Sequence, residues 1–552
     1  MYRRFRWMIP WLVGALAAAV LFLGVAAVGG LRYENSDDIL FVKGFMGFEG
    51  GTPVSFTLYT HTFLAWILHG LSVVLPSIAW FSVFQLGLLW LSAAVIVKCA
   101  IRLGSWKGFI GSIMYLGVFA AFACARLSYT TTAALAGAAS VLQLMELEKA
   151  RTRAGRIFCL FWACVLFLSA YSLRQMTALP ILAYCLLSFA WYAARRIKAG
   201  LSIRPVVVAA VILCGLLAIF AGVREAEIAV RGQRDTLTWQ QSRIELFDYT
   251  SFEQNVAPAA ESESGLTEKQ TQLVQQWYFW DTDVDANAFN AMREAYAGEE
   301  KDGVFQKLGD FLKTSPRYVY AIAFLVLLSL WVILGDDQSR LSSIAALLAL
   351  AGGLVMLVYL CWRGRVLFRG LDTVFFPCGA ILLALALRTA VPAKKLISAA
   401  LCAALVLTVG ADVLLTLDKL DERPDAVSQQ REAELEAYAL KNPDKLVVRT
   451  PNLLRDTRLM PDVSSGLPIN TAIWGDWYCR MPGWHQQLER YGFNSADFHL
   501  SDWADSPLVF ATNEDAPPQL LLDGIAESLG SSVRYDKIGT EGTLSFFSFH
   551  AE

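Results

Sequence analysis

The sequence predicts an α-helical polytopic membrane protein carrying a small α/β unit near its C-terminal end, and three observations lead there. Hydrophobic residues make up 55% of the 552, charged residues only 17%, and mean hydropathy is +0.44, whereas an ordinary soluble domain is about a quarter charged. The apolar excess is gathered into runs of roughly 18 to 24 residues, enough to cross a hydrocarbon core of about 30 Å as helices. After the last run, short alternating stretches read as strands. The net charge of −2 comes with no basic patch on a soluble face, so no nucleic-acid partner is expected.

The first element follows MYRRFRW, a basic flank on a run too long for a signal-peptide core. With no A-x-A-like site after it, it reads as a retained signal anchor. About 11 transmembrane helices are expected, near 8–30, 78–100, 108–125, 128–147, 157–173, 177–194, 205–222, 318–335, 341–361, 373–388 and 396–416. Lysine and arginine set their direction. Clusters at Arg3–Arg6, Lys98–Lys107, Lys149–Arg156, Arg195–Arg204 and Arg388–Lys395 all fall on one side if the N-terminus is cytoplasmic. The stretch TLYTHTFLAWILHGLSVVLP is apolar enough to span, but counting it would invert every later cluster. It is read as a helix lying in the outer interface.

This topology places outside a first loop (about 31–77), a large loop (about 223–317), a short loop (about 362–372) and the tail. The large loop carries an acidic, Ser-rich linker, APAAESESGLTEKQ. In the tail, SQQREAELEAYALKN and PPQLLLDGIAESLG read as helices, and KLVVRT, PLVFAT, SVRYDKIG and TLSFFSFH as strands. The expected organisation is a transmembrane domain over residues 1–416 and an extracytoplasmic α/β domain over 417–552. The ten cysteines lie mostly inside apolar runs and include no CxxC pair, so neither a disulfide framework nor a zinc site is indicated.

Four constellations can carry chemistry. In RYENSDDILF, Asp37 and Asp38 sit where the chain leaves the first span. As structure, such a stretch is a polar loop capping an interfacial helix; as chemistry, one carboxylate can be a general base at the membrane face. In WRGRVLFRGLD, Arg363, Arg365 and Arg369 sit outside against the charge trend. They serve either as head-group anchors or as a fork for phosphoryl oxygens, and Arg174, in SAYSLRQMTALP, can join them, with Arg126 a weaker partner. In WYFWDTDVDANAF, the acids at 281, 283 and 285 begin like a calcium loop, but Ala286 and Met292 stand at its sixth and twelfth positions. A helix-start or turn role is favoured, and no metal residue is assigned. In NTAIWGDWYCRMPGWHQQLERYGF, Trp474, Trp477 and Tyr478 can face a sugar, as can His61 in the first loop, or can be core and interface aromatics.

A basic N-terminus, one span and an acidic outer loop leading into an interfacial helix resemble the opening of GT-C-type integral membrane glycosyltransferases. More narrowly, NSDDILFVKGFMGFEGGTP, the Phe247-Asp248-Tyr249 stretch and NTAIWGDW look like a group of bacterial surface-glycan membrane proteins. The resemblance implies a GT-C-like fold in a bacterial cytoplasmic (inner) membrane, a polyprenyl-phosphate-linked sugar as donor, and a surface glycan or glycolipid as acceptor. It implies an essential acid in the first outer loop, matched here by Asp37 and Asp38. Members with a divalent metal often carry a second acidic motif in the next outer turn; here that turn is ARLSYTTT, without an acid, and no cofactor is carried over. The WWD-type signature of oligosaccharyltransferases is absent.

The expected activity is therefore inverting glycosyl transfer at the extracytoplasmic face, with Asp37 or Asp38 as base and Arg174, Arg363, Arg365 and Arg369 on the donor phosphate. The alternatives are a lipid-linked glycan transporter or flippase, which needs ionisable residues along its spans, and a non-catalytic scaffold of envelope assembly.

Overall fold

The computed structural model describes residues 8–34, 36–48, 51–150, 152–250, 252–253, 263–296, 303–335, 340–363, 368–392, 394–420, 426–454, 457–461, 463, 466–475 and 478–552. Its first element, α1 (Ile9–Gly29), is apolar on every side, and only 17% of its span is covered by protein, as suits a helix facing lipid. Where it is covered, the contact is close: a Cβ on Gly14 would lie 2.3 Å from the Ala94 carbonyl oxygen. Small residues permit such backbone approach between membrane helices.

Ala94 belongs to α4 (Trp80–Ala125), 46 residues of nearly continuous helix that double back at Ser105, where φ is 52°. The reversal is tight enough that a Cβ on Gly108 would strike the Ala100 carbonyl. The two arms of α4 are the two spans expected near 78–100 and 108–125. After it, α5 (Tyr129–Glu146) is buried along its whole length, rich in Ala, Gly, Ser and Thr, and packed against α4 and three other helices. Nine helices among the described residues are long and apolar enough to cross a membrane. Counting α4 as two and adding α5 gives the eleven expected.

The other spans are α6 (Arg153–Leu173), α7 (Ala178–Lys198), α8 (Arg204–Val230), α13 (Pro316–Leu334), α14 (Arg340–Arg363), α15 (Phe368–Ala386) and α16 (Lys395–Leu420). Between α1 and α4 lie α2 (Ser36–Met46) and the short apolar α3 (Thr62–Val74). The direction of two spans relative to each other is fixed by two residues on each of two strands. β1 (Arg32–Tyr33) follows α1, β2 (Arg126–Leu127) follows the second arm of α4, and they pair in parallel, Arg32 opposite Arg126. Two spans that deliver parallel strands side by side cross in the same direction. Had α3 spanned, β2 would have emerged at the opposite end, so α3 does not cross.

At that opposite end the basic clusters meet. Lys149 donates to the Leu103 carbonyl at 2.5 Å, Arg195 pairs with Glu148 at 3.0 Å, and Arg388 reaches both Glu148 and the Met145 carbonyl. Segments read as cytoplasmic from charge alone thus converge on one face.

The large loop contributes α9 (Arg234–Tyr249), α10 (Glu268–Gln275), α11 (Ala286–Ala295) and α12 (Val304–Thr314); the tail adds α17 (Ala426–Lys441), α18 (Pro482–Arg490) and α19 (Gln519–Leu529). Strands β3 (Leu446–Arg449), β4 (Thr471–Ile473), β5 (Leu508–Thr512), β6 (Val533–Glu541) and β7 (Leu544–Ala551) form one sheet of order β4-β3-β5-β7-β6, parallel across its first three strands and antiparallel across the rest. Each strand expected from alternation is present; β4, three residues long, adds to them. Loop and tail share a core of buried indoles, Trp280, Trp474, Trp484 and Trp503. Hydrogen bonds cross the same seam, the Phe279 backbone N–H donating to the Trp474 carbonyl at 3.1 Å and the Trp280 indole Nε1 to the Ile473 carbonyl at 2.8 Å.

Candidate functional site at the rim of the spans

The β1–β2 pair sets the site by bringing the residues after α1 against the start of α5. Asp38, in the first turn of α2, is fully buried. Its Oδ1 accepts from the Tyr129 backbone N–H at 2.8 Å and from Gln85 Nε2 at 3.0 Å. The capping expected of this acidic stretch is thus spent on α5, with Ser128 Oγ capping the same helix at Thr130. Asp38 Oδ2 is buried with no hydrogen-bond partner among the described residues. Burial pushes its carboxyl up to about 8, against the smaller opposing pull of Gln85, Arg369 and the Tyr129 N–H.

Asp37 stands differently. Its side chain is 36% exposed and lies 3.6 Å from Nη1 of Arg369, whose Nε is 3.9 Å from Glu34 Oε2. Glu34 is mostly buried; burial raises its carboxyl to about 7, with Asp372 and Asp37 adding and Arg369 and Arg317 opposing. One guanidinium therefore sits between two carboxylates of very different solvation.

Arg174, just past α6, lies over two phenol rings, 4.8 Å from the centroid of Tyr59 and 5.0 Å from that of Tyr129, and donates to the Tyr129 hydroxyl. Burial raises the Tyr59 hydroxyl, so it is a neutral phenol at physiological pH. Tyr129 is thus the hub: its N–H holds Asp38, its ring and hydroxyl hold Arg174, and Phe41 of α2 packs on it edge-on at 5.3 Å. Beside Glu34 opens a cavity of about 300 Å³ lined by Phe122, Pro316, Arg317, Tyr318 and Leu415. Arg317 lies 4.1 Å over the Phe122 ring, among the charges of Glu34, Asp372 and Asp412. Tyr318 donates to Asp372 at 2.9 Å, while Asp372 Oδ2 and both oxygens of Asp412 are buried without hydrogen bonds among the described residues.

Of the residues read from the sequence, Asp37, Asp38, Arg174 and Arg369 come together. Arg363 turns away and lies 4.3 Å over Tyr249 at the end of α9. Arg365 and Trp477 are outside the described residues. His61 is buried and occupied: it caps α3 through Phe63 N–H, and its Nε2 is 2.8 Å from the Phe220 carbonyl. Trp474 (1% exposed) and Tyr478 (8%) are interior residues, Trp474 packing on Tyr278 and Phe510, and neither offers an open face to a sugar. Asp285 takes the helix-start role, its Oδ1 accepting from Ala288 N–H at 2.8 Å.

Tyr129, Tyr59, Gln85 and Arg317 belong to the site and carried no signal of their own in the sequence. The one hint was ARLSYTTT, which lies at an outward span end and contains Tyr129.

No family model and no curated protein matches the chain. Among solved structures it is similar, over 99% of its own length and 98% of the other's, to ArnT from Cupriavidus metallidurans bound to undecaprenyl phosphate, at 11% sequence identity and a TM-score of 0.37. That score is too low for the likeness to bear on chemistry or on the roles of residues.

Proposed function

We propose that the protein is a membrane glycosyltransferase of the GT-C type, moving a sugar from a polyprenyl-phosphate donor to a surface glycan or glycolipid at the extracytoplasmic face of a bacterial inner membrane. The observation that carries this reading is the pairing of a half-exposed carboxylate, Asp37, with the Arg369 guanidinium at the rim of the spans. A reaction whose leaving group is already a phosphate needs little else: a base for the incoming hydroxyl and fixed cations for the departing charge.

In this reading the lipid chain enters along the apolar walls of Phe122, Pro316 and Leu415, and its phosphate meets Arg369 and Arg174. The acceptor hydroxyl attacks the anomeric carbon as the bond from that carbon to the phosphate oxygen breaks. The proton passes to Asp37 and polyprenyl phosphate leaves, with inversion at the anomeric carbon. Asp38, buried and bonded to α5, positions the turn that presents Asp37. Arg363, engaged by Tyr249, is a seat for the large loop. Residues 1–416 then form the transfer unit, entered from a cytoplasmic N-terminus, and 417–552 its extracytoplasmic cover.

A transporter needs ionisable groups through the depth of the membrane. The buried ones here cluster toward the two ends, Lys98 and Glu146 at one and Asp372 and Asp412 at the other, which favours chemistry at the rim.

The test is transfer from a polyprenyl-phosphate-linked sugar in proteoliposomes, read as release of polyprenyl phosphate coupled to labelling of the acceptor. Asp37→Asn should lose about 10²- to 10⁴-fold in rate, the usual worth of a general base, while Asp38→Asn keeps most of it. Near-normal transfer by Asp37→Asn would remove the base assignment.

A further inference from the structure

The acids of WYFWDTDVDANAF gain a partner through folding. Asp281 and Asp283, in the turn before α11, meet His499 of the tail, which follows Asp281 by 218 residues. Nδ1 of His499 lies 3.2 Å from Asp281 Oδ1 and 3.7 Å from Asp283 Oδ2, and the three ligand atoms fall within 4.8 Å of one another. The Asp281 side chain is 1% exposed, that of Asp283 57% and that of His499 35%, so the group is walled by protein on one side and open to solvent on the other. Its frame is pinned. Thr282 N–H donates to the Phe498 carbonyl and His499 N–H to Asp502 Oδ2, both at 2.8 Å. Gln270 Nε2 donates to Oδ2 of Asp281 at 3.1 Å and to Oδ2 of Asp283 at 3.4 Å.

The orientation of the imidazole points to a ligand. His499 Nε2 faces Asp497 Oδ1 at 3.1 Å, and a ring N–H is donated there. Nδ1 then turns its lone pair toward two carboxylate oxygens, three acceptors that repel one another unless a positive centre lies between them. A carboxylate on the far nitrogen is also the usual outer support of a metal-ligating histidine. Spacing agrees. Zinc bonds of about 2.1 Å in a tetrahedron set ligand atoms about 3.4 Å apart, and the two distances to Nδ1, 3.2 and 3.7 Å, bracket that separation.

A proton on Nδ1 answers the repulsion but leaves most of the charge. Asp281, Asp283 and Asp497 all lie against the one ring, and among the described residues no lysine or arginine forms an ion pair with any of them. Arg480, on the same turn, spends its Nη2 on the carbonyls of Asp281, Thr282 and Val284 at 2.9, 3.2 and 3.0 Å. A divalent ion between the three ligand atoms neutralises one charge more than the proton does.

We propose that Asp281, Asp283 and His499 bind one zinc ion that clips the large loop to the tail, at a site apart from the rim and independent of the transfer reading. An imidazole ligand favours zinc over calcium or magnesium, and the exposed side of the group leaves a coordination position to water. Asp285, the third acid of the run, is already committed to capping α11 through Ala288 N–H. The site therefore departs from a calcium loop although its first two ligands have that spacing.

The experiment uses the full chain without a histidine tag, in lipid nanodiscs, stripped with a chelator and titrated with Zn²⁺, Co²⁺ or Ca²⁺. Zn²⁺ should bind at one per chain, and Co²⁺ should take its place with the strong visible absorption of a tetrahedral centre. Ca²⁺ should bind at least tenfold more weakly. His499→Ala and Asp283→Asn, both at partly exposed positions, should each weaken zinc at least tenfold, with melting profiles in chelator like that of the unaltered protein. Asp285→Asn, which keeps a capping side chain, should leave zinc affinity unchanged. Zinc should slow amide exchange at 281–284 and 498–503 together in the unaltered protein and in neither ligand variant. No stoichiometric zinc, equal zinc affinity in both ligand variants, or a preference for Ca²⁺ that depends on Asp285 overturns the proposal.

Discussion

The buried helix α5 carries a polar cluster at each end, and the two are built to opposite plans. At its C-terminal end Lys98 donates to Gln143 at 2.9 Å and to Glu146 at 2.6 Å, and Arg102 pairs with Glu146 at 2.9 Å. Two cations enclose one buried carboxylate, tying the first arm of α4 to α5. At the N-terminal end carboxylates outnumber guanidiniums: Glu34, Asp37, Asp38, Asp372 and Asp412 surround Arg174, Arg317 and Arg369. Several carboxylate oxygens there have no donor among the described residues, and a cavity opens beside them. A charge cluster in which two cations hold one buried carboxylate is a staple. One that leaves acids unsatisfied beside an opening keeps chemistry in reserve.

Substitutions at the two ends should therefore part company. At the rim, Arg369→Gln removes the cation shared by Glu34 and Asp37; transfer should fall about 10²- to 10³-fold, as for loss of a group stabilising transition-state charge, with a melting temperature close to that of the unaltered protein. At the staple, Lys98→Met strips a buried partner from Glu146 and should cost about 3 kcal/mol of stability, read by thermal melting in detergent, while transfer per folded molecule is unchanged. A staple variant that loses activity without losing stability would erase the distinction.

Asp38→Asn sharpens the comparison further. Because burial raises this carboxyl from 3.8 to about 8, the folded protein holds a proton that the unfolded chain releases. Stability should fall as pH rises through that interval and level off above it. The Asn variant should lose much of this decline in melting temperature, keeping the part due to Glu34, raised from 4.5 to about 7.

The smallest effect is expected in the loop–tail seam. Burial lowers His499, but its hydrogen bonds with Asp281 (3.2 Å) and Asp497 (3.1 Å) outweigh that and raise it. Its contribution is full below the ordinary histidine value and is lost as pH rises through the raised one. Amide exchange at residues 498–503 should quicken across that interval, and His499→Gln should flatten the change.

The long apolar runs and the sided arginines made the spans readable, because the bilayer imposes length and charge rules that act locally in sequence. α5 was readable as a span although it is shielded on all sides, since burial in protein and in lipid ask for the same composition. The site was legible at Asp37 and Asp38, polar residues at an apolar boundary, and at Arg174 and Arg369, cations on the wrong side. What could not be read was convergence. Nothing local says that Tyr129 will meet Asp38 across 91 positions, or that Arg363 will turn to Tyr249 instead of following Arg369. The indoles of the tail misled for a related reason: Trp474 reads in sequence as a platform for a sugar, and only packing shows it to be a core ring.

Lys43 of α2 is buried against Glu432 of α17, a partner 389 residues further along, with Glu436 at 3.6 Å and Arg458 beyond it. The helix that carries Asp37 near its start is thus closed by a segment that follows all the spans in the chain. Every other part of the rim cluster, through Asp412, precedes that segment in the chain. A nascent chain halted before α17 would hold these groups yet lack the clamp on the helix that bears Asp37. The helix that bears Asp37 is therefore fixed in place only after every span has been made.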